Sequence, residues 1–231
     1  MCAMNYSEIE ITRGDGIATV TLNRPDKLNA WTRTMEAEIR TAMNTLSEDQ
    51  EVRVIVLTGA GRGFCAGADM ELLNDTQASG STGDIADVYP GGIDGGLELP
   101  SDFHMRYSYF PTVPKPIIAA VNGAAAGAGM NIALACDIVF AARSAKFVES
   151  FAMLGVIPDS GGTWHLPRLV GMARAKGMAM LMPKITAEQA KEWGLIWEVV
   201  DDEALMEEVT ALAEHLATQP TRGFALTKQA F

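Results

Sequence analysis

Three stretches restrict what this chain can become: "VRVIVLTG" (52–59), "PIIAAVNG" (116–123) and "DIVFAA" (137–142). Each is a short, nearly unbroken apolar run with no polar alternation, the pattern of a strand buried on both faces in a parallel sheet. The first two end in glycine and open into Gly/Ala-rich loops that lead toward helical patterns, so strand and helix alternate along most of the chain. An α/β fold follows. At 231 residues, 48% of them apolar, the chain can bury one large core with a helical appendage.

Other local readings fit this frame. "EIEITRGDGIATVTLNRP" (8–25) predicts a hairpin turning at Gly14-Asp15-Gly16. "TRTMEAEIRTAMNTL" (32–46) places Met35, Ile39, Ala42, Met43 and Leu46 on one helical face, with Thr32 as cap. Residues 80–99, rich in Gly and Asp, read as a surface loop. From Glu203 the pattern is helical and stops in mid-pattern, so the chain divides into a core over 1–200 and the start of a C-terminal helical segment over 201–231 that reads as truncated.

Composition excludes several classes. A net charge of −11 opposes nucleic-acid or anionic-membrane binding through the global field. No apolar stretch is long enough to span a membrane, and the start "MCAMNYSEIE" is no signal peptide. Three cysteines (Cys2, Cys65, Cys136) are too few and too irregularly spaced for a disulfide framework or a zinc site, so a reducing cytoplasm is the expected location.

Three clusters can carry chemistry. "LTGAGRGFCAGADM" (57–70) lacks both phosphate-loop patterns. It reads either as a tight strand-to-helix connection with Asp69 near a helix start, or as a loop in which Gly67 lets the backbone approach a ligand and aim an N–H at it. "NGAAAGAGMNIALACD" (122–137) is either close packing or a helix start whose N–H groups near Ala128 and Gly129 form half of an anion hole. In "GVIPDSGGTW" (155–164), Asp159 reads as a helix N-cap or as a working carboxylate. Ser160 is not a nucleophile, since no G-x-S-x-G elbow surrounds it. Glu149 reads as a surface or strand-edge residue, His165 as a helix-surface residue, Cys65 as a small core residue, and Asp137 as fixing the turn after its helix. His104 and His215 have no partners apparent in the sequence.

These motifs together, with "NRPDKLNAW" (23–31) and "GVIPDSGGTWHLPRLVG" (155–171), resemble the crotonase (enoyl-CoA hydratase/isomerase) superfamily from about residue 8 to the end. The resemblance implies a spiral of β-β-α units with a C-terminal helical segment, assembled as a homotrimer or dimer of trimers. It implies an acyl-coenzyme A thioester as substrate, with no metal or redox cofactor. By position it implies backbone oxyanion donors at Ala68 and Ala128, and coenzyme A or substrate contacts at Lys27, Leu28, Ala30, Ala66, Gly67, Asp69, Met70 and Gly129. The two glutamates of water-adding members align with Asn131 and Phe151, neither of which can act as a general base. The closest match is to the PaaG-like epoxyphenylacetyl-CoA isomerases, in which the aspartate aligned with Asp159 is the catalytic residue. The expected activity is therefore isomerisation of a 3-enoyl-CoA or rearrangement of a ring-epoxide acyl-CoA. The rivals are a hydratase with an unusual base and a non-catalytic acyl-CoA-binding protein.

Overall fold

The hairpin comes first in a computed structural model that describes residues 6–69 and 109–231. Strands β1 (Ile9–Gly14) and β2 (Ile17–Leu22) pair antiparallel, with Gly14 facing Ile17 across a two-residue turn. Asp15 (φ 52°) and Gly16 (φ 79°) are both left-handed, as a turn matched to strand twist requires. Helix α1 (Arg33–Glu48) follows, its Thr32 hydroxyl accepting from the Met35 N–H, and the five residues predicted to face the core are the five it buries.

Two sheets organise the rest. The large one runs in the order β1-β2-β3-β5-β7-β10, with β3 at Val54–Gly59, β5 at Ile117–Val121, β7 at Ile138–Ala142 and β10 at Glu198–Val200. The small one runs β4-β6-β8-β9, with β4 at Gly63–Cys65, β6 at Ala124–Ala126, β8 at Lys146–Val148 and β9 at Ile185–Thr186. The pairs β3/β4, β5/β6 and β7/β8 each send their first strand to the large sheet and their second to the small one, every step parallel to the last. That repetition is the spiral.

The unbroken apolar runs are explained by burial on both sides. On β3, Ile55 and Leu57 face the main core with α1, whereas Val54 and Val56 face helix α5 (Leu205–Thr218) through Val209 and Ala213. Between these, α2 spans Ala128–Leu134, α3 Gly162–Leu181 and α4 Ala187–Glu192; α6 (Thr221–Ala230) follows α5. Helix α3 is interrupted at Gly171, whose backbone is extended with φ 77°. Helix α6 buries none of its residues; Lys228 Nζ ties it down by donating to Asp137 Oδ2 (2.7 Å) and to the carbonyls of Phe110 (3.2 Å) and Lys115 (3.0 Å). Asp137 also accepts from the Ile117 N–H at 2.7 Å, so it joins α6 to the start of β5 and does more than fix the turn after its own helix. Among the described residues no helix is long and apolar enough to cross a membrane. The predicted loop at 80–99, Met70 and His104 lie outside the described residues.

Helix α2 lies so close to β4 that only glycine fits between them. A Cβ on Gly129 would stand 2.3 Å from the Cys65 carbonyl oxygen and 2.7 Å from Cys65 Cβ. The Gly129→Ala variant is expected to lose about 1–3 kcal/mol of stability from overpacking, read as a lower midpoint in urea unfolding.

Candidate functional site

The site begins where the two small-sheet loops leave their strands. The parallel pairing of β4 with β6 brings Gly67-Ala68 beside Gly127-Ala128. Both glycines are left-handed (φ 93° and 50°), and both are hemmed in: a Cβ on Gly67 would stand 2.8 Å from the Ala126 carbonyl oxygen, and one on Gly127 2.9 Å from Ser150 Oγ. The turns therefore need glycine for conformation and for space.

The first loop is clamped by the segment before α1. Arg24 Nη1 donates to Asp69 Oδ2 and to the Ala30 carbonyl, at 2.8 and 2.7 Å. The Ala66 N–H donates to the Leu28 carbonyl at 3.0 Å, and buried Asn29 bridges Arg24 N to the carbonyls of Ala60 and Gly63. Trp31 forms a parallel bridge with Ala68: its N–H donates to the Gly67 carbonyl and its own carbonyl accepts from the Asp69 N–H. Peptide groups alternate in such a ladder, so the Ala68 N–H faces the opposite side from Trp31. Ala128 starts α2 in ordinary helical conformation, with Gly127 carrying the left-handed turn before it, and its N–H belongs to the first turn, which has no partner inside the helix.

Both alanines line a cavity of about 220 Å³, together with Ala66, Gly67, Gly127, Ser150, Phe151, Met153, Leu154, Val156 and Asp159. Phe151 lies in a short 3-10 turn (Phe151–Leu154) and is buried, which gives the floor an apolar ring. A larger cavity of about 700 Å³, lined by Cys136, Asp137, His165, Lys228 and Phe231 among others, contains none of the residues predicted for the site.

Asp159 does not cap α3. The cap position is taken by Gly161 without a side-chain bond, and the Asp159 carboxyl instead accepts from Ser160 Oγ at 2.8 Å. Ser160 and Gly161 are consecutively left-handed (φ 49° and 81°), which lets the carboxylate turn toward the cavity while its carbonyl accepts from the Gly162 N–H. Crowding by the protein raises its carboxyl above the ordinary aspartate value and the Ser160 hydroxyl moderates the rise, while one side stays open to solvent at the cavity mouth.

Glu149 is not at the surface. It is 1% exposed, both of its carboxyl oxygens are buried without a hydrogen-bond partner, and burial together with the Asp159 charge pushes its carboxyl up to about 8. The sequence held a signal for this: Phe147 is the inward residue of β8, and two positions on lies the same face of the strand path. Asn131, fully buried on α2, donates from Nδ2 to the Asp159 carbonyl at 3.0 Å, and its Oδ1 has no partner.

The remaining predicted residues divide. Lys27 ends a 3-10 turn (Pro25–Lys27) and, with Leu28 and Ala30, belongs to the clamp segment beside Ala66 and Asp69. Gly129 is a packing residue between α2 and β4, against Cys65. Burial pushes the Cys65 thiol up to about 12, which leaves it an inert core group. His165 is half-buried on α3 with its protonated form disfavoured by burial and Arg168, and His215 is exposed on α5. No group of three or more His, Cys, Asp or Glu side chains among the described residues is placed to hold a metal ion.

Residues 12–231 match the family model described as enoyl-CoA hydratase/isomerase. The chain is 50% identical over 215 residues to the 1,2-epoxyphenylacetyl-CoA isomerase of Escherichia coli K12, covering 93% of this chain and 78% of the relative. It is 43% identical over 228 residues to a Rhodobacter capsulatus protein named "Probable enoyl-CoA hydratase", covering 99% and 82%. The crystal structure of an enoyl-CoA hydratase subunit from Geobacillus kaustophilus superposes with a TM-score of 0.85 at 35% identity, over 97% of this chain and 81% of that one.

The raised Glu149 carboxyl has a consequence for stability. The folded state holds a proton that the unfolded chain releases near the ordinary glutamate value of 4.5, so this contribution is complete below that value and is lost as pH rises toward about 8. Glu149→Gln, which cannot ionise, is expected to gain stability relative to the parent as pH increases through this window; urea midpoints of both proteins at the two ends measure it.

Proposed function

Because the chain belongs to the enoyl-CoA hydratase/isomerase family of enzymes, we propose that it is an acyl-CoA isomerase that moves a double bond or rearranges a ring epoxide through a thioester enolate, with Asp159 as base. One observation carries this reading. Among the described residues lining the cavity that holds Ala68 and Ala128, Asp159 is the one carboxylic acid. A hydratase needs groups to deprotonate water and to deliver a proton to the α-carbon, and the positions that supply them in water-adding relatives are Asn131 and Phe151 here. A single carboxylate suits a proton moved between two carbons of one substrate.

In the proposed cycle the thioester oxygen accepts from the Ala68 and Ala128 N–H groups, and ionised Asp159 removes a proton from the α-carbon of a 3-enoyl thioester. The electron pair of that C–H bond enters the C=C–O⁻ system, conjugated with the remaining double bond and held by both donors. Protonated Asp159 returns the proton at the γ-carbon, which leaves the double bond between the α- and β-carbons. Each oxyanion donor of this kind is typically worth about 3–4 kcal/mol of transition-state stabilisation. No metal or redox cofactor takes part, because the proton and the electron pair both stay within substrate and carboxylate. The ring-epoxide alternative draws support from the Escherichia coli relative's name and from the same hole and carboxylate.

Exposed Met153, Leu154, Val156 and Ile157 beside the cavity support coverage by further subunits in a homotrimer or dimer of trimers, and the reading places the enzyme in the cytoplasm. The deciding measurement follows a 3-enoyl-CoA and a 2-enoyl-CoA through the conjugated thioester absorbance, with Asp159→Asn alongside. The 3-enoyl substrate is expected to gain conjugation, the 2-enoyl substrate to remain unhydrated, and the variant to lose roughly 10²–10⁴-fold in kcat. Consumption of the 2-enoyl signal by both proteins would identify a hydratase instead, and binding of coenzyme A thioesters without turnover would identify a binding protein.

A further inference from the structure

The floor behind Asp159 holds three buried acceptor atoms and a shortage of donors. Both Glu149 oxygens and Asn131 Oδ1 lack a partner within hydrogen-bond distance; one N–H of Asn131 Nδ2 goes to the Asp159 carbonyl, and the amide's second N–H favours a charge on Glu149. Glu149 and Asn131 are side-chain neighbours, and Asn131 is crowded by the start of α3, where a Cβ on Gly162 would stand 2.3 Å from Nδ2 and 2.8 Å from Oδ1. An ionised carboxylate only accepts, so it can satisfy neither itself nor Asn131 Oδ1. One proton changes this: a Glu149 O–H donates to Oδ1, and the buried pair becomes complementary.

Asn131 is the one group acting on Glu149 that favours its charged form, and no cation among the described residues joins it. Asp159, from the loop before α3, is the charged group that acts on it, and its effect disfavours a second anion. Helix α2 contributes uncharged Asn131, the neighbouring strand β6 is Ala124–Ala126, and α3 contributes Gly162, with His165 further along held toward its neutral form. Lys146 lies on β8 itself at intermediate exposure, and the Glu149 oxygens have no partner among the described residues, Lys146 included.

We propose that Glu149 is a positioning residue carried as a neutral carboxylic acid, whose O–H donates to Asn131 Oδ1 and so fixes Asn131 under the Asp159 loop, and whose ionisation disables Asp159. Loss of that proton leaves a second buried anion beside the base and removes the donor that held Asn131 Oδ1, so the amide rotates to give both of its N–H groups to the anion and leaves the Asp159 carbonyl. Asp159 then either takes up a proton or loses its support. This rests on the reading of Asp159 as the base, and it gives that reading a falling alkaline limb in its pH profile.

Infrared titration of the protein tests the acid directly, without turnover. The wild type is expected to show the carbonyl stretch of a protonated carboxylic acid at neutral pH that disappears near the value of about 8 to which burial pushes Glu149. The band should be absent in E149Q and should titrate at lower pH in D159N, where the neighbouring charge is gone. Isomerisation of a 3-enoyl-CoA across the same range supplies the second readout. E149Q, whose amide can still donate to Oδ1, should lose the alkaline limb, while E149L, with no donor, should lower kcat at every pH by about tenfold or more with KM little changed. A wild type with no protonated band at neutral pH, a band that survives E149Q, or an alkaline limb that persists in E149Q would overturn the assignment. A Glu149 band that responds to D159N in a protein that isomerises no 3-enoyl-CoA would uphold the neutral acid and count against the isomerase reading alone.

Discussion

The approach of two backbones nearer than any Cβ allows is the constraint on which the site depends. The Gly129 contact with the Cys65 carbonyl and the Gly67 contact with the Ala126 carbonyl belong to a single seam, and Gly123 continues it, where a Cβ would stand 2.3 Å from the Arg62 carbonyl oxygen. The small sheet can run parallel through β4, β6 and β8 with its loops side by side because these glycines remove the side chains that would wedge it open. Two N–H groups from segments some sixty residues apart thereby line one cavity.

The clamp before α1 secures what the seam brings together. Arg24, Asn29 and Trp31 hold the first loop by ion pair, side-chain bridge and backbone ladder, each from a different direction. The second loop is held by its continuity with α2 and by the Gly127 N–H donating to the Val148 carbonyl at 2.8 Å. Electrostatics then enter a frame that is already fixed. Phe151 keeps the floor apolar, which raises the cost of charge nearby, and the two acids in the region respond differently: Asp159 keeps an opening to water, and Glu149 has none.

What the sequence disclosed follows from the range of the forces involved. The buried face of α1 was legible in full because helical periodicity is local, and the strands β3, β5 and β7 because burial on both faces leaves an unbroken apolar run. The absence of carboxylates at 131 and 151 was legible by motif position. Glu149 was misread: its burial was signalled by strand alternation from Phe147, but the setting that makes it unusual brings together α2, the end of β8 and the loop before α3, and no spacing along the chain encodes that meeting. Asp159 as a cap was a sound local reading of Asp-Ser-Gly-Gly, and the left-handed pair Ser160-Gly161 displaced it by moving the helix start two residues on.

The proposed hole, being made of main-chain donors, also separates what can vary from what cannot. Any residue of modest size at 68 or 128 presents the same N–H, so point substitution there alters bulk and leaves the polar function in place. The surrounding side chains have no such protection: a change at 131, 151 or 159 alters the chemistry offered around the cavity while the backbone seam stays as it was. Under the proposed function, this architecture lets the acid–base groups, and with them the reaction performed, be exchanged over an unaltered means of stabilising the enolate.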